Sequence, residues 1–246
     1  MTRPGIIIKI EYDGRAPKNE PVLIVRTIAL IYSYTIYHSP NAYLGSVLAR
    51  RALQELPHLR LLRRPFFVPR DRGVLVADLV GGKEAPMMGS YNREDCERWA
   101  ERHGIPLNYP APEIFTQRAK EWARSEWHRE ELPARAYYAA RSAGHGDAVD
   151  AALFDAAWVE GLDVNAPDTI RWAASRAGLD GERLLAEARG ERPGEEARAA
   201  LAEFDRLGCP GVPTFVVDGK RFFGKDRVEF LLQDIAWPRG RTGAFT

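Results

Sequence analysis

The chain has little cysteine, no excess of either charge and no long apolar run. Only two of its 246 residues are cysteines, Cys96 and Cys209. They are not in Cys-x-x-Cys spacing, so a dithiol–disulfide oxidoreductase has no redox pair here. Basic residues number 35 and acidic residues 34, for a net charge of +1. That balance gives no electrostatic case for nucleic acid or an anionic membrane as partner. No stretch approaches the roughly 20 apolar residues of a membrane span. Ile6-Ile7-Ile8 is too short for the apolar centre of a secretion signal, and Lys9 and Glu11 interrupt it. The expected location is cytoplasmic. The five histidines are scattered without paired ligand spacing, so no metal site is expected.

What is present is enough apolar sequence, 45% of the chain, for one large domain or a core with an inserted subdomain. Ile6 to Tyr12 and Val22 to Ile28 are apolar segments separated by the turn-forming residues 13–19. They read as an N-terminal β-hairpin over residues 1–27. A local structural cap is the simpler role for it, and a partner-binding or dimer-forming arm the alternative. Ile28 to Tyr37 is nearly continuous in apolar and aromatic residues, as a strand buried on both faces should be. It runs into His38-Ser39-Pro40. Ser39 is a good N-cap and Pro40 a good first helical residue. The helix continues through Leu44, Val47, Leu48, Leu53 and Leu56, and Pro57 ends it. A serine at this junction sits where the free N–H groups of the first turn converge, at the positive end of the helix dipole. Such a place stabilises a thiolate; a plain cap needs no such role.

Leu59 to Val68 reads as a second strand, with a small element at 74–80. Asn92 and Asp95 read as the start of a helix that Gly104 closes. Residues 111–207 form a helical block. Its expected helices are Glu113–Glu131, Ala134–Ala143, Asp147–Glu160, Thr169–Ala177 behind an Asn165 cap, Asp180–Arg189 and Glu195–Leu207, the last two broken at Pro193-Gly194. Its tryptophan stripes read as core. His128 beside Glu130 and Glu131 reads as a solvated charged turn, with acid–base chemistry as the alternative. Near the C-terminus, Thr214 to Val217 and Lys220 to Phe223 flank Asp218-Gly219, the dipeptide that suits a type I′ turn. Pro213 heads the first of these strands and is a candidate cis residue, with an ordinary trans proline as the alternative. A last helix follows Gly224-Lys225-Asp226-Arg227, and 237–246 read as a loose tail. Cys96 lies in a helical pattern and reads as a small buried hydrophobe. Cys209 would need a cationic neighbour to become reactive.

Gly-Val-Pro-Thr-Phe, a hairpin and Gly-x-Asp-Arg before a terminal helix resemble the C-terminal end of the DsbA superfamily of thioredoxin-fold proteins. Ser39-Pro40-x-x-Tyr43-Leu44 after the first strand, Arg64-Pro65, and Tyr91 through Trp99 to Gly104-x-Pro106 resemble its branch of 2-hydroxychromene-2-carboxylate isomerases and kappa-class glutathione transferases. The resemblance covers roughly residues 30–236. It implies an α/β fold, a thioredoxin-like core (28–110 and 208–236) with an inserted all-α subdomain (111–207). It implies a catalytic Ser39 that hydrogen-bonds the sulfur of glutathione or another low-molecular-weight thiol. Val212 and Pro213 would present backbone to the thiol peptide, and Lys225 and Asp226 would hold its γ-glutamyl end. The family's lysine three residues before the tyrosine is replaced by Met88, and no asparagine lies between Asn41 and Asn92. The implied activity is thiol-dependent cis–trans isomerisation of a small conjugated substrate. A thiol transferase, a cofactor-free double-bond isomerase and a non-catalytic binding scaffold are the alternatives. The partners expected are that substrate and, in a homodimer, a second copy of the chain.

Overall fold

The computed structural model describes residues 6–12, 23–56, 58–70 and 85–236. The loop at 13–19, the element at 74–80 and the tail at 237–246 lie outside them. The first two apolar segments form β1 (Ile6–Tyr12) and the start of β2 (Leu23–Thr35). No turn former separates the hairpin arm from the first core strand, so the two segments read apart in the sequence are one strand. Ala29 pairs with both Ile6 of β1 and Leu59 of β3 (Leu59–Pro65), so these lie on opposite edges of β2. Strand β3 is parallel to β2 and ends at Pro65, earlier than expected; Val68 survives only as an isolated bridge to Arg129. Strand β4 (Thr214–Val217) is antiparallel to Tyr32–Tyr34 of β2 and pairs in turn with β5 (Lys220–Phe223). Both turn residues, Asp218 and Gly219, have positive φ (49° and 77°), as the type I′ turn demands. The core order is β3-β2-β4-β5, with β1 extending the β4 edge.

Helices cover both faces of this sheet. Helix α1 (Pro40–Gln54) and the terminal α9 (Val228–Ala236) flank one face, where Ile31, Phe215, Val217, Phe222 and Leu231 are buried together with Ala49. Tyr34, Phe66 and Val216 bury the other face against Tyr137 and Tyr138 of α4 (Glu131–Ser142) and Ala197 and Leu201 of α8 (Glu191–Arg206). Alternation along β4, with Phe215 and Val217 on one side and Val216 on the other, is what lets one short strand serve both cores. The remaining helices are α2 (Ala85–His103), α3 (Pro112–Trp122), α5 (Gly146–Trp158), α6 (Pro167–Arg176) and α7 (Gly181–Ala188). Trp122 and Trp158 are buried, as their helical spacing implies. This is the expected thioredoxin-like α/β fold with inserted helices.

Several helix limits differ from the local signals. Helix α2 begins at Ala85, so Asn92 and Asp95 lie inside it rather than capping it; Gly104 (φ 57°) does end it. Helix α3 stops at Trp122, well short of Glu131. Pro193 and Gly194 fall in the first turn of α8, where a missing N–H costs little. Pro133 likewise sits in the first turn of α4. The N-cap position of α6 is Ala166, not Asn165.

Phe215 is fully buried between β2 and α1. Phe215→Ala is expected to lower the unfolding free energy by about 3–5 kcal/mol, measured by urea denaturation. A loss under about 1 kcal/mol would contradict the packing described for this face.

Candidate functional site

The site is built where β2 hands over to α1. Ser39 is the N-cap of α1: its backbone is extended (φ −96°, ψ 115°) and its Oγ accepts from the N–H of Ala42 at 3.1 Å. Pro40 follows at the first helical position. Because Oγ acts as acceptor in the cap, the hydroxyl proton is the half left to donate to a ligand. The first turn carries no acidic side chain to oppose an anion there.

One turn further, Gly45 lets α1 approach the head of β4. A Cβ at Gly45 would lie 3.0 Å from Pro213 Cγ and 3.5 Å from the Cα of Lys225. The start of α1, the Val212–Pro213 peptide and the turn before α9 are therefore packed together. The Val212–Pro213 bond is cis, Val212 is half-buried and Pro213 is buried.

Lys225 and Asp226 differ in what they can offer. Lys225 is buried, and its Nζ donates to Asn41 Oδ1 (2.7 Å) and Asp95 Oδ2 (2.5 Å), 5.6 Å from the Trp99 ring centroid. Its charge is committed to the protein, joining the turn before α9 to α1 and α2. Asn41 also donates to Asn92 at 2.7 Å, and Asn92 to the Tyr109 hydroxyl at 3.2 Å. Asp226 is exposed, with Arg227 Nε at 3.5 Å. Met88 lies in the first turn of α2.

On the other side of Ser39 lies a buried charged cluster that the local sequence pattern missed. Glu130 and Glu131 are buried, so the solvated charged turn expected here is corrected. Glu130 accepts from the backbone N–H of Tyr37 (2.9 Å) and of His38 (3.1 Å), and it pairs with His38 Nδ1. Its own N–H donates to Asn165 Oδ1 at 2.7 Å, which is why Asn165 does not cap α6. Asp163 lies 3.6 Å from His38 Nε2 and accepts from Trp122 Nε1 at 3.2 Å. Glu130 holds φ at +74°, which for a non-glycine residue costs on the order of 1–3 kcal/mol. Hydrogen bonds to a charged acceptor contribute roughly 1.5–3 kcal/mol each, so the bonds it makes outweigh that strain. Burial disfavours the imidazolium of His38, but Glu130 and Asp163 outweigh it and raise its pKa. Burial would likewise raise the Asp163 pKa, but the facing His38 and the hydrogen bonds from Asn165 bring it down to about 2. The one sequence signal was a histidine ending an apolar strand.

The cysteines follow the bland reading. Burial pushes the Cys96 thiol up to about 11, with the Lys225 charge only partly offsetting it. Burial also raises Cys209, against the opposing Arg221. Surface depressions of about 440 Å³ beside α8 and about 360 Å³ between α1 and the ends of α5 and α6 are not lined by Ser39, Pro213 or Asp226. Among the described residues no three His, Cys, Asp or Glu side chains are placed to hold a metal ion, and no helix is long and apolar enough to cross a membrane.

The chain matches the family model of the DSBA-like thioredoxin domain over residues 31–236. It is 29% identical over 212 residues to a 2-hydroxychromene-2-carboxylate isomerase from Sphingobium xenophagum, covering 80% of this chain and 93% of the relative. A solved 2-hydroxychromene-2-carboxylate isomerase superposes with a TM-score of 0.66 at 19% identity, over 84% of this chain and 94% of that one. The cytosolic disulfide reductase DsbM from Pseudomonas aeruginosa, solved with glutathione, gives 0.55 at 18% identity, over 85% of this chain and all of that one (100%). The two structural likenesses establish the fold.

Two predictions come from this geometry. Asp163 has a depressed pKa, so its stabilisation is present above the unfolded value near 3.8 and is lost as pH falls toward about 2. Asp163→Asn is expected to cost about 2 kcal/mol at pH 5 and little at pH 2, by denaturant unfolding at both pH values; equal costs would contradict the pairing. With a thiol-specific chromogenic reagent at pH 8, Cys96 is expected to stay unlabelled until the protein unfolds, and rapid labelling of the native thiol would refute its burial.

Proposed function

The chain belongs to the DSBA-like thioredoxin domain family, and we propose that it is a thiol-dependent isomerase of a small conjugated molecule, using glutathione or a similar thiol. The observation that carries this reading is Ser39. Its Oγ closes the cap of α1 as an acceptor while its O–H remains the donor half, at the positive end of a helix without acidic residues in its first turn. Those two features favour an anion of modest size, and a thiolate is the reactive one. The relative from Sphingobium xenophagum is named for isomerisation of 2-hydroxychromene-2-carboxylate, and the glutathione-bound DsbM structure supports a thiol peptide as ligand of this fold.

The residues fit the sulfur end of such a ligand better than its far end. Ser39 would donate to the sulfur, and the N–H groups at the start of α1 would add dipole stabilisation. Val212 would pair its backbone with the thiol peptide as a short strand addition. Asp226, exposed before α9, would take the γ-glutamyl ammonium. Lys225 would act as a strut rather than a ligand, since Asn41 and Asp95 already hold its charge. When bound, the thiol supplies a nucleophile that adds to a conjugated double bond, permits rotation about it and leaves again. The protein's part is to keep the sulfur deprotonated, to orient it and to release it unchanged.

Ser39→Ala is expected to lower glutathione-dependent isomerisation of 2-hydroxychromene-2-carboxylate about tenfold or more, the loss of a charge-assisted hydrogen bond worth roughly 1.5–3 kcal/mol. Asp226→Ala is expected to weaken glutathione binding in calorimetry. Unchanged turnover in the serine variant removes Ser39 from the mechanism, and no binding by the wild type removes glutathione.

A further inference from the structure

Between β2 and α1 the chain makes its turn through Tyr37 and His38, outside both the sheet ladder and the helix. Buried backbone N–H groups at such a place need partners. They find them on a residue 92 and 93 positions away: one carboxylate, Glu130, takes the N–H of His38 and of Tyr37. The same carboxylate pairs with His38 Nδ1, and Asp163 faces the opposite ring nitrogen. Two further groups of the helical block stand near the imidazole. The Trp122 ring stands edge-on to it at 4.6 Å, and Arg129 lies over that indole at 5.6 Å. Asn165 holds the Glu130 backbone and is itself held by Asp163. Glu130 and Asp163 act on opposite ring nitrogens, so they do not converge on one point as metal ligands would. Instead each needs a proton on the nitrogen it faces. With both protons present the ring is bonded to Glu130 and, at 3.6 Å, within ion-pair though not hydrogen-bond distance of Asp163; with one lost, a lone pair meets a carboxylate.

We propose that Glu130 is a positioning residue for Ser39: with His38 and Asp163 it latches the loop that carries the serine to the helical block, and the latch is closed while His38 is doubly protonated. The inference rests on the role given to Ser39 above, but the latch itself is a property of the unliganded protein. The raised His38 pKa fits it, because the imidazolium is the form both carboxylates favour. Arg129, next to Glu130 in the chain and over the Trp122 ring, is a cation that would oppose it.

Amide hydrogen exchange on the unliganded protein tests the latch. The variants are Glu130→Gln, which keeps the shape but removes the charge, and Ser39→Ala, which removes only the cap. In Glu130→Gln, the protection factors at Tyr37, His38 and Ala42 are expected to fall about tenfold or more at pH 6, the scale of losing hydrogen bonds to a charged acceptor. Amides in β4 and α5 stay unchanged. Wild-type protection at the three amides is expected to persist above pH 6.5 and to fall only at higher pH, as His38 loses its proton. Loss confined to Ala42 in Ser39→Ala separates cap from latch. Unchanged protection in Glu130→Gln, or a wild-type loss centred near pH 6.5, overturns the proposal. With glutathione added, the thiolate absorbance of the bound ligand at neutral pH is expected to drop in Glu130→Gln, and the double variant with Ser39→Ala to drop no further than Ser39→Ala alone. Additive drops would mean that Glu130 does not act through Ser39. If the wild type binds no thiol, the proposed function fails while the exchange measurements still decide the latch.

Discussion

A buried strand cannot become a helix without leaving backbone donors behind, and this structure depends on how that is solved after Thr35. The ladder stops there, α1 starts at Pro40, and the turn between them is enclosed by the sheet, α1 and the inserted helices. Two donors of the turn go to Glu130, one first-turn donor of α1 goes to Ser39, and the Tyr37 carbonyl accepts from Trp158 Nε1 at 2.7 Å. The turn is thus held from the helical block by two kinds of group, a carboxylate and an indole, with its own His38 ring pairing to the carboxylate. Everything assigned to Ser39 presupposes that its position is fixed, and the turn before it is held by residues 92 to 121 positions away.

The far side of the junction uses charge differently. Lys225 ties the turn before α9 to Asn41 and Asp95. Breaking such a buried pair by removing one partner is strongly destabilising, on the order of 3–5 kcal/mol. Lysine here joins three elements beneath the start of α1 and leaves Asp226 as the exposed charge at that end.

Local chemistry was legible in the sequence; long-range pairing was not. Ser39-Pro40, Asp218-Gly219 and Gly104 each specify a conformation through their own side chain or its absence, and each stands where that chemistry places it. The order of strand, helix, strand, helical block, hairpin and helix followed from apolar periodicity. Asn92 and Asn165 look like caps locally, but Asn92 is drawn to Asn41 and Tyr109 and Asn165 to Glu130. Pro193-Gly194 looks like a break but fits a first turn. Glu130 and Glu131 look solvated because charged residues usually are. Their burial depends on backbone donors and on Arg135, which bonds Glu131 at 2.7 Å, and nothing within a few residues of Glu130 marks those donors.

The central claim is that this junction presents Ser39 to a thiol. A crystal structure of the protein soaked with glutathione tests it most directly. The account predicts the sulfur within hydrogen-bond reach of Ser39 Oγ at the start of α1, with the peptide backbone running beside Val212. Glutathione bound elsewhere, or its sulfur turned away from an Oγ that still caps Ala42, would contradict it.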